Sequence, residues 1–159
     1  ELLQLDNAAV ISVNGGIIGL PDNIILRGRD FALNQESTIS ATTNLGGWGN
    51  ISLQGERLFL GDRSSIATIA IEEATGGNIL IELESNLLAL EDSKITASAE
   101  QRQGGNIQIS AKGIFLSANS EIIASSKFGV DGLIQIDTLT VDPNSGLVLF
   151  PTEPIDPNL

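Results

Sequence analysis

The chain has 159 residues, 42 % of them apolar and 17 of them Gly, and it contains no Cys, His, Tyr or Met. Those absences exclude disulfides, thiolate or imidazole nucleophiles, and zinc or iron–sulfur centres built on Cys or His, which leaves carboxylates, hydroxyls, amides, Lys and Arg for any chemistry. A net charge of −12 lacks the basic footprint of a nucleic-acid binder and is repelled by anionic lipid surfaces.

Taken in chain order, the sequence repeats a small set of elements. Leu3-Gln4-Leu5 alternates apolar and polar residues, and Ala8-Ala9-Val10-Ile11-Ser12 follows. Asp22-Asn23-Ile24 opens the first full copy, with Ile24-Ile25-Leu26, Phe31-Ala32-Leu33 and Ser37-Thr38-Ile39-Ser40-Ala41. Gly49-Asn50-Ile51 opens the second, with Ile51-Ser52-Leu53, Leu58-Phe59-Leu60 and Ser64-Ser65-Ile66-Ala67-Thr68. Gly77-Asn78-Ile79 opens the third, with Ile79-Leu80-Ile81 and Ser93-Lys94-Ile95-Thr96-Ala97. Its middle run is read as Leu88-Ala89-Leu90, nine residues after Ile79 instead of seven, so this coil is expected to hold two extra residues there. Gly105-Asn106-Ile107 opens the fourth, with Ile107-Gln108-Ile109, Ile114-Phe115-Leu116 and Ser120-Glu121-Ile122-Ile123-Ala124. Gly132-Leu133-Ile134 opens the last, with Ile134-Gln135-Ile136 and Val141.

Period-two alternation is the signature of a strand with one buried face. Three such strands in every 27–28 residues predict an all-β fold: a single-stranded parallel β-helix of about five coils. No segment sustains the i, i+3, i+4 spacing of a helix, and no apolar run approaches the roughly 18 residues of a membrane span. Stacking places Ile24, Ile51, Ile79, Ile107 and Ile134 in one inward column and Leu26, Leu53, Ile81, Ile109 and Ile136 in a second. Each buried side chain of this kind contributes roughly 1.5–3 kcal/mol. Residues 1–142 are read as the repeat domain. Residues 143–159, with Pro143, Pro151, Pro154 and Pro157, are read as a capping segment, because Pro cannot continue a ladder. The chain opens on Leu2, Leu3 and Leu5 without a signal peptide, so a further coil, from upstream chain or a neighbouring molecule, is expected to cover that edge.

Asn23, Asn50, Asn78 and Asn106 share one repeat position. At a strand spacing of about 4.8 Å their amides are expected to form an inward corner ladder, with the preceding Gly residues serving a tight turn or a positive φ.

The repeated Gly-Gly-Asn-Ile-x-Ile, as in Gly76–Ile81 and Gly104–Ile109, followed by Leu-x-Leu and Ser-x-Ile-x-Ala, resembles the haemagglutinin-type repeats of large two-partner-secreted proteins. The stretch Ala124–Gly132, with Asp142–Leu147 and Leu149-Phe150-Pro151, is similar to the end of this repeat region in the cyanobacterial branch. The resemblance implies a right-handed β-helix, export through an outer-membrane transporter partner, and an extracellular or cell-surface role in adhesion.

Sites for chemistry are sparse. Arg27, Gln54, Glu82, Ser110 and Asp137 form an outward column, but Glu82 and Asp137 lie two coils apart, about 10 Å, which fits a solvated face better than a paired-carboxylate site. Glu72-Glu73 and Glu91-Asp92 are acidic pairs in turns, read as solvated instead of as calcium ligands. Gly46-Gly47-Trp48-Gly49 lacks the Lys-Ser/Thr and the helix of a phosphate loop. Trp48, Phe59 and Phe115 are the candidate surface contacts, with Ala32 and Ala89 expected beside the two Phe residues. Ile11, Ile25, Leu80 and Ile123 are expected to add outward apolar strips. The expected function is a non-catalytic structural or adhesive module without cofactor or metal, whose partner is a protein or glycan on a surface. The alternatives are a polysaccharide-binding or -cleaving module, and a self-assembling filament or sheath subunit.

Overall fold

The computed structural model describes residues 1–15, 23–44 and 48–138. The first coil contributes β1 (Leu2–Leu5) and β2 (Val10–Gly15), and the next contributes β3 (Ile24–Arg27), β4 (Asp30–Leu33) and β5 (Thr38–Thr43). Then come β6 (Ile51–Gly55), β7 (Arg57–Leu60) and β8 (Ser65–Ala70), followed by β9 (Ile79–Leu83), β10 (Asn86–Ala89) and β11 (Lys94–Ala99). β12 (Ile107–Ala111), β13 (Gly113–Leu116), β14 (Glu121–Ser126) and β15 (Ile134–Thr138) complete the described strands.

Each strand pairs in parallel with its counterpart one coil away, giving three five-stranded sheets. Sheet I is β3-β6-β9-β12-β15, sheet II is β1-β4-β7-β10-β13 and sheet III is β2-β5-β8-β11-β14. The fold is a parallel β-solenoid of about five turns, as the repeat predicts. The expected sheet I columns are in register: Ile24, Ile51, Ile79, Ile107 and Ile134 stack, as do Leu26, Leu53, Ile81, Ile109 and Ile136. The central members are wholly buried, whereas Ile134 and Ile136, on the edge strand β15, are 38 % and 46 % exposed. One continuous apolar core runs along the axis between the three sheets. The proposed boundary at residue 143, Val141 and the Pro-rich cap lie outside the described residues.

Two register expectations are overturned. In the third coil the middle strand is Leu87-Leu88-Ala89, with Leu87 on Leu58, Leu88 on Phe59 and Ala89 on Leu60. Ala89 therefore points inward, 1 % exposed, and Leu88 takes the outward place. Leu87 lies eight residues after Ile79, where Leu58 lies seven after Ile51, so the extra length at that corner is one residue, at Glu84-Ser85, whose amides bond to the Gly55 and Glu56 carbonyls. Leu90 instead begins the next turn. At the other end, Ile11 pairs with Ile39 and packs against the core, while Val10 is 62 % exposed. In both places a slip of one residue swaps the faces of a strand, and apolar residues on both faces leave local alternation ambiguous.

The turn from sheet II to sheet III is built alike in successive coils. Consecutive residues adopt positive φ in Asn7-Ala8, Gln35-Glu36, Asp62-Arg63 and Glu91-Asp92, although none is Gly. The buried Ser that follows ties the turn down: the hydroxyls of Ser37 and Ser93 donate to the Asn34 and Leu90 carbonyls, both at 2.6 Å. Ser64 is equally buried, but its hydroxyl has no partner. A satisfied hydroxyl contributes about 1 kcal/mol, whereas an unsatisfied one carries a desolvation penalty. Ser37→Ala is therefore expected to lower stability by about 1 kcal/mol and Ser64→Ala to be neutral or stabilising, read by urea denaturation of the two variants side by side.

Candidate functional site

The Gly-Asn-Ile anchor divides three tasks among three residues. Ile points into the core. Gly allows neighbouring coils to touch: a Cβ on Gly77 would overlap the Gly49 carbonyl, one on Gly105 that of Gly77, and one on Gly132 that of Gly105. The described anchor glycines do not adopt positive φ, so close approach of backbone, not turn geometry, is the constraint. Asn23, Asn78 and Asn106 are exposed and Asn50 half-buried, so the column runs outside the core and not inside it. Their side-chain oxygens accept backbone N–H groups from the next coil: Asn50 N–H reaches Asn23 Oδ1 at 3.1 Å, Asn78 N–H reaches Asn50 Oδ1 at 2.8 Å, and Asn106 N–H reaches Asn78 Oδ1 at 2.9 Å. Leu133 N–H continues the series onto Asn106 Oδ1 at 2.8 Å. The Asn50, Asn78 and Asn106 carbonyls meanwhile accept the amides of Ile24, Ile51 and Ile79 in the preceding coil. The bonds run between side chain and backbone, not from amide to amide.

Trp48 lies outside the strands and is 55 % exposed; Leu45, Gly46 and Gly47 beside it fall outside the described residues. Phe59 and Phe115 do share an outward column of sheet II, but between them stands Leu88 in place of the expected Ala89. Phe59 is half-buried and Phe115 is 57 % exposed. Ile25, Leu80 and Ile123 face outward, with Ile25 58 % exposed. The acidic turn pairs engage neighbouring coils: Glu100 accepts the Glu72 amide at 3.2 Å, Arg102 faces Glu73 at 3.5 Å, and Glu91 accepts the Asp62 amide at 3.3 Å. Among the described residues no group of three or more Asp and Glu side chains converges as a metal site would require.

The outward column of sheet I is in the expected register from Arg27 to Asp137. Its side chains are linked laterally: Arg27 Nε donates to Gln54 Oε1 at 2.9 Å, and Gln54 Nε2 donates to Glu82 Oε2 at 2.5 Å. Beside it, at the corner into sheet II, runs an open groove of about 740 Å³ over a floor of Gly28, Gly55 and Leu83. Arg27, Gln54, Glu82 and Ser110 form one wall; Arg29, Glu56 and Glu84 form the other. A Cβ on Gly55 would point inward, 2.6 Å from the buried Phe31 ring and 2.7 Å from the Gly28 carbonyl oxygen, so glycine there answers to core packing and close approach of the coils. The groove was not anticipated, although the triplets Arg27-Gly28-Arg29, Gln54-Gly55-Glu56 and Glu82-Leu83-Glu84 carry its signal: polar residues two apart around a small or inward one.

Within the second wall Arg29 pairs with Glu56 at 2.8 Å, and next to it Arg57 Nε donates to Asp30 Oδ1 at 2.7 Å. The hydrogen bond from Arg57 holds the Asp30 carboxyl below its ordinary value of 3.8; desolvation opposes this, and the charges of Arg57 and Arg29 add to it. No family model, curated protein or solved structure matches the chain.

Two outcomes follow from these bonds. Asn78→Ala removes the acceptor for the Asn106 amide and is expected to cost about 1 kcal/mol, with hydrogen exchange accelerated at that amide in particular. A folded-state pKa below the unfolded one stabilises at pH above the unfolded value, and the contribution fades as pH falls through the folded value. Melting temperatures of Asp30→Asn and the parent chain, measured downward from pH 5, should therefore converge below 3.8 as the parent loses this ion pair.

Proposed function

We propose that the chain is a non-catalytic structural and adhesive β-solenoid segment of a secreted cell-surface protein. The observation that carries this reading is how the outer charges are used. Arg29–Glu56, Arg57–Asp30, Arg63–Glu36, Lys94–Glu121 and Arg102–Glu73 each join one coil to the next. Exposed pairs contribute little singly, because water and salt screen them. Repeated along the stack, they hold long side chains in coil-to-coil register beside the backbone ladders. Such a body serves as a stiff spacer and presents side chains at fixed intervals. Export through an outer-membrane transporter partner and placement at the cell surface are proposed from the likeness of the Gly-Gly-Asn-Ile repeats to haemagglutinin-type repeats.

Treatment of intact source cells with a non-penetrating protease is expected to digest the protein, and incubation of the purified chain with neutral and acidic glycans is expected to release no reducing ends. Protection on intact cells would remove the surface placement, and glycan cleavage would remove the non-catalytic reading.

A further inference from the structure

The outer face of sheet I changes sign from one end to the other, which bracing of neighbouring coils does not require. We infer that this face docks a second copy of the chain, laid against the first with its coils running in the opposite direction. This rests on the adhesive reading and names its partner: contact between like chains, in the orientation that chains projecting from two facing cells present to each other.

Three neighbouring columns cross the coils of β3, β6 and β9. Ile25, Ser52 and Leu80 form the first, and Arg27, Gln54 and Glu82 the second. Arg29, Glu56 and Glu84 form the third, at the corner into sheet II. The first column is apolar at both ends, and the other two are cationic at one end and anionic at the other. A two-fold contact sets residue i on residue j and j on i. An axis parallel to β6, passing Ser52 and Gln54, therefore sets Ile25 on the partner's Leu80, Arg27 on the partner's Glu82 and Arg29 on the partner's Glu84, each twice. Ser52 and Gln54 meet their own copies, and each side chain carries a donor and an acceptor. Glu56 also meets its own copy, with Arg29 of its own chain 2.8 Å away to offset the like charge.

Other arrangements lose these contacts. With the coils running in the same direction, the axis lies along the solenoid and mirrors the columns, so Arg27 opposes the partner's Arg27 or the partner's Arg29. Glu82 then opposes the partner's Glu82 or the partner's Glu84. In the antiparallel arrangement, a slip of one coil moves Ile25 onto the partner's Ser52 or the partner's Gln108. In the second case Arg29 also meets the partner's Lys112, and Glu56 the partner's Glu84. Two chains at −12 repel each other at long range, so a face on which cations meet carboxylates is the one that permits approach. Facing sheets lie about 10 Å apart, a gap that an Arg and a Glu span end to end. Arg27 uses Nε and Glu82 uses Oε2 in the lateral bonds through Gln54, which hold both side chains in place and lower the ordering cost of contact. A face of three coils is small, so the contact is weak singly and gains strength from many copies on one surface.

Sedimentation equilibrium of the intact chain is expected to show a reversible dimer with a Kd between about 10 μM and 1 mM. Arg27→Glu and Glu82→Arg are each expected to weaken it about tenfold or more. An equimolar mixture of the two variants should recover most of the parent association, because each supplies at both contacts the sign that the other lacks. Recovery on mixing separates a broken contact from a damaged fold. Lys94→Ala, on sheet III, should leave the Kd unchanged. A chain that stays monomeric, a dimer that neither variant weakens, or a mixture that fails to recover would each overturn this pairing. Digestion on intact cells alongside any of those results would leave the surface reading standing. Protection from protease alongside a recovered mixture would keep the dimer and overturn its role between cells.

Discussion

Everything in this molecule answers to the parallel ladder between coils, which sets like residues above like at about 4.8 Å. At that spacing an inward column is filled by apolar side chains that stack on one another, or by none. Ile and Leu fill the inward columns because branched aliphatic groups interdigitate without leaving polar atoms in the core. The Gly77–Gly105–Gly132 column exists because consecutive backbones approach so closely there that a methyl group has no room. Thr68 is the informative exception: it replaces the Ala of its column, and its hydroxyl is satisfied by the Gly77 carbonyl at 2.6 Å inside the core.

The same ladder organises the outside. A charge repeated at every coil would repel itself at the strand spacing, and the chain carries 20 acidic residues against 8 basic ones. The columns avoid this by changing chemistry as they climb: Asp30 lies under Arg57, Arg29 under Glu56, and Arg27 leads through Gln54 to Glu82. The Asn column solves a different problem. It satisfies the amide of the next coil at a corner where the strand ladder has not yet begun, and it does so from the solvent side.

Among the described residues the outer surface is a repeating pattern without a converged acidic cluster. A stiff stack displays its outer side chains on a lattice whose one spacing is the coil step and whose other is the residue pair. The groove over Gly28 and Gly55 is where that lattice becomes concave, and Trp48 and Phe115 are aromatic groups the stack leaves open to solvent.

The architecture was legible because the repeat states it many times: strand period, three strands per coil, the turn before each buried Ser, and the sheet I columns all follow from spacing alone. Where one copy was ambiguous, spacing failed. Leu87, Leu88 and Leu90 are all apolar, and only pairing with Leu58 and Phe59 turns Leu87 and Ala89 inward. Val10 and Ile11 present the same ambiguity, resolved by Ile39. The sequence by itself thus determined which residues stack, since identity at a fixed interval is a one-dimensional property. The tertiary structure alone decided which way the Asn side chains face, why Gly is obligatory at the anchor, and where the outer surface becomes a groove, because those depend on how closely neighbouring coils approach and at what angle two sheets meet.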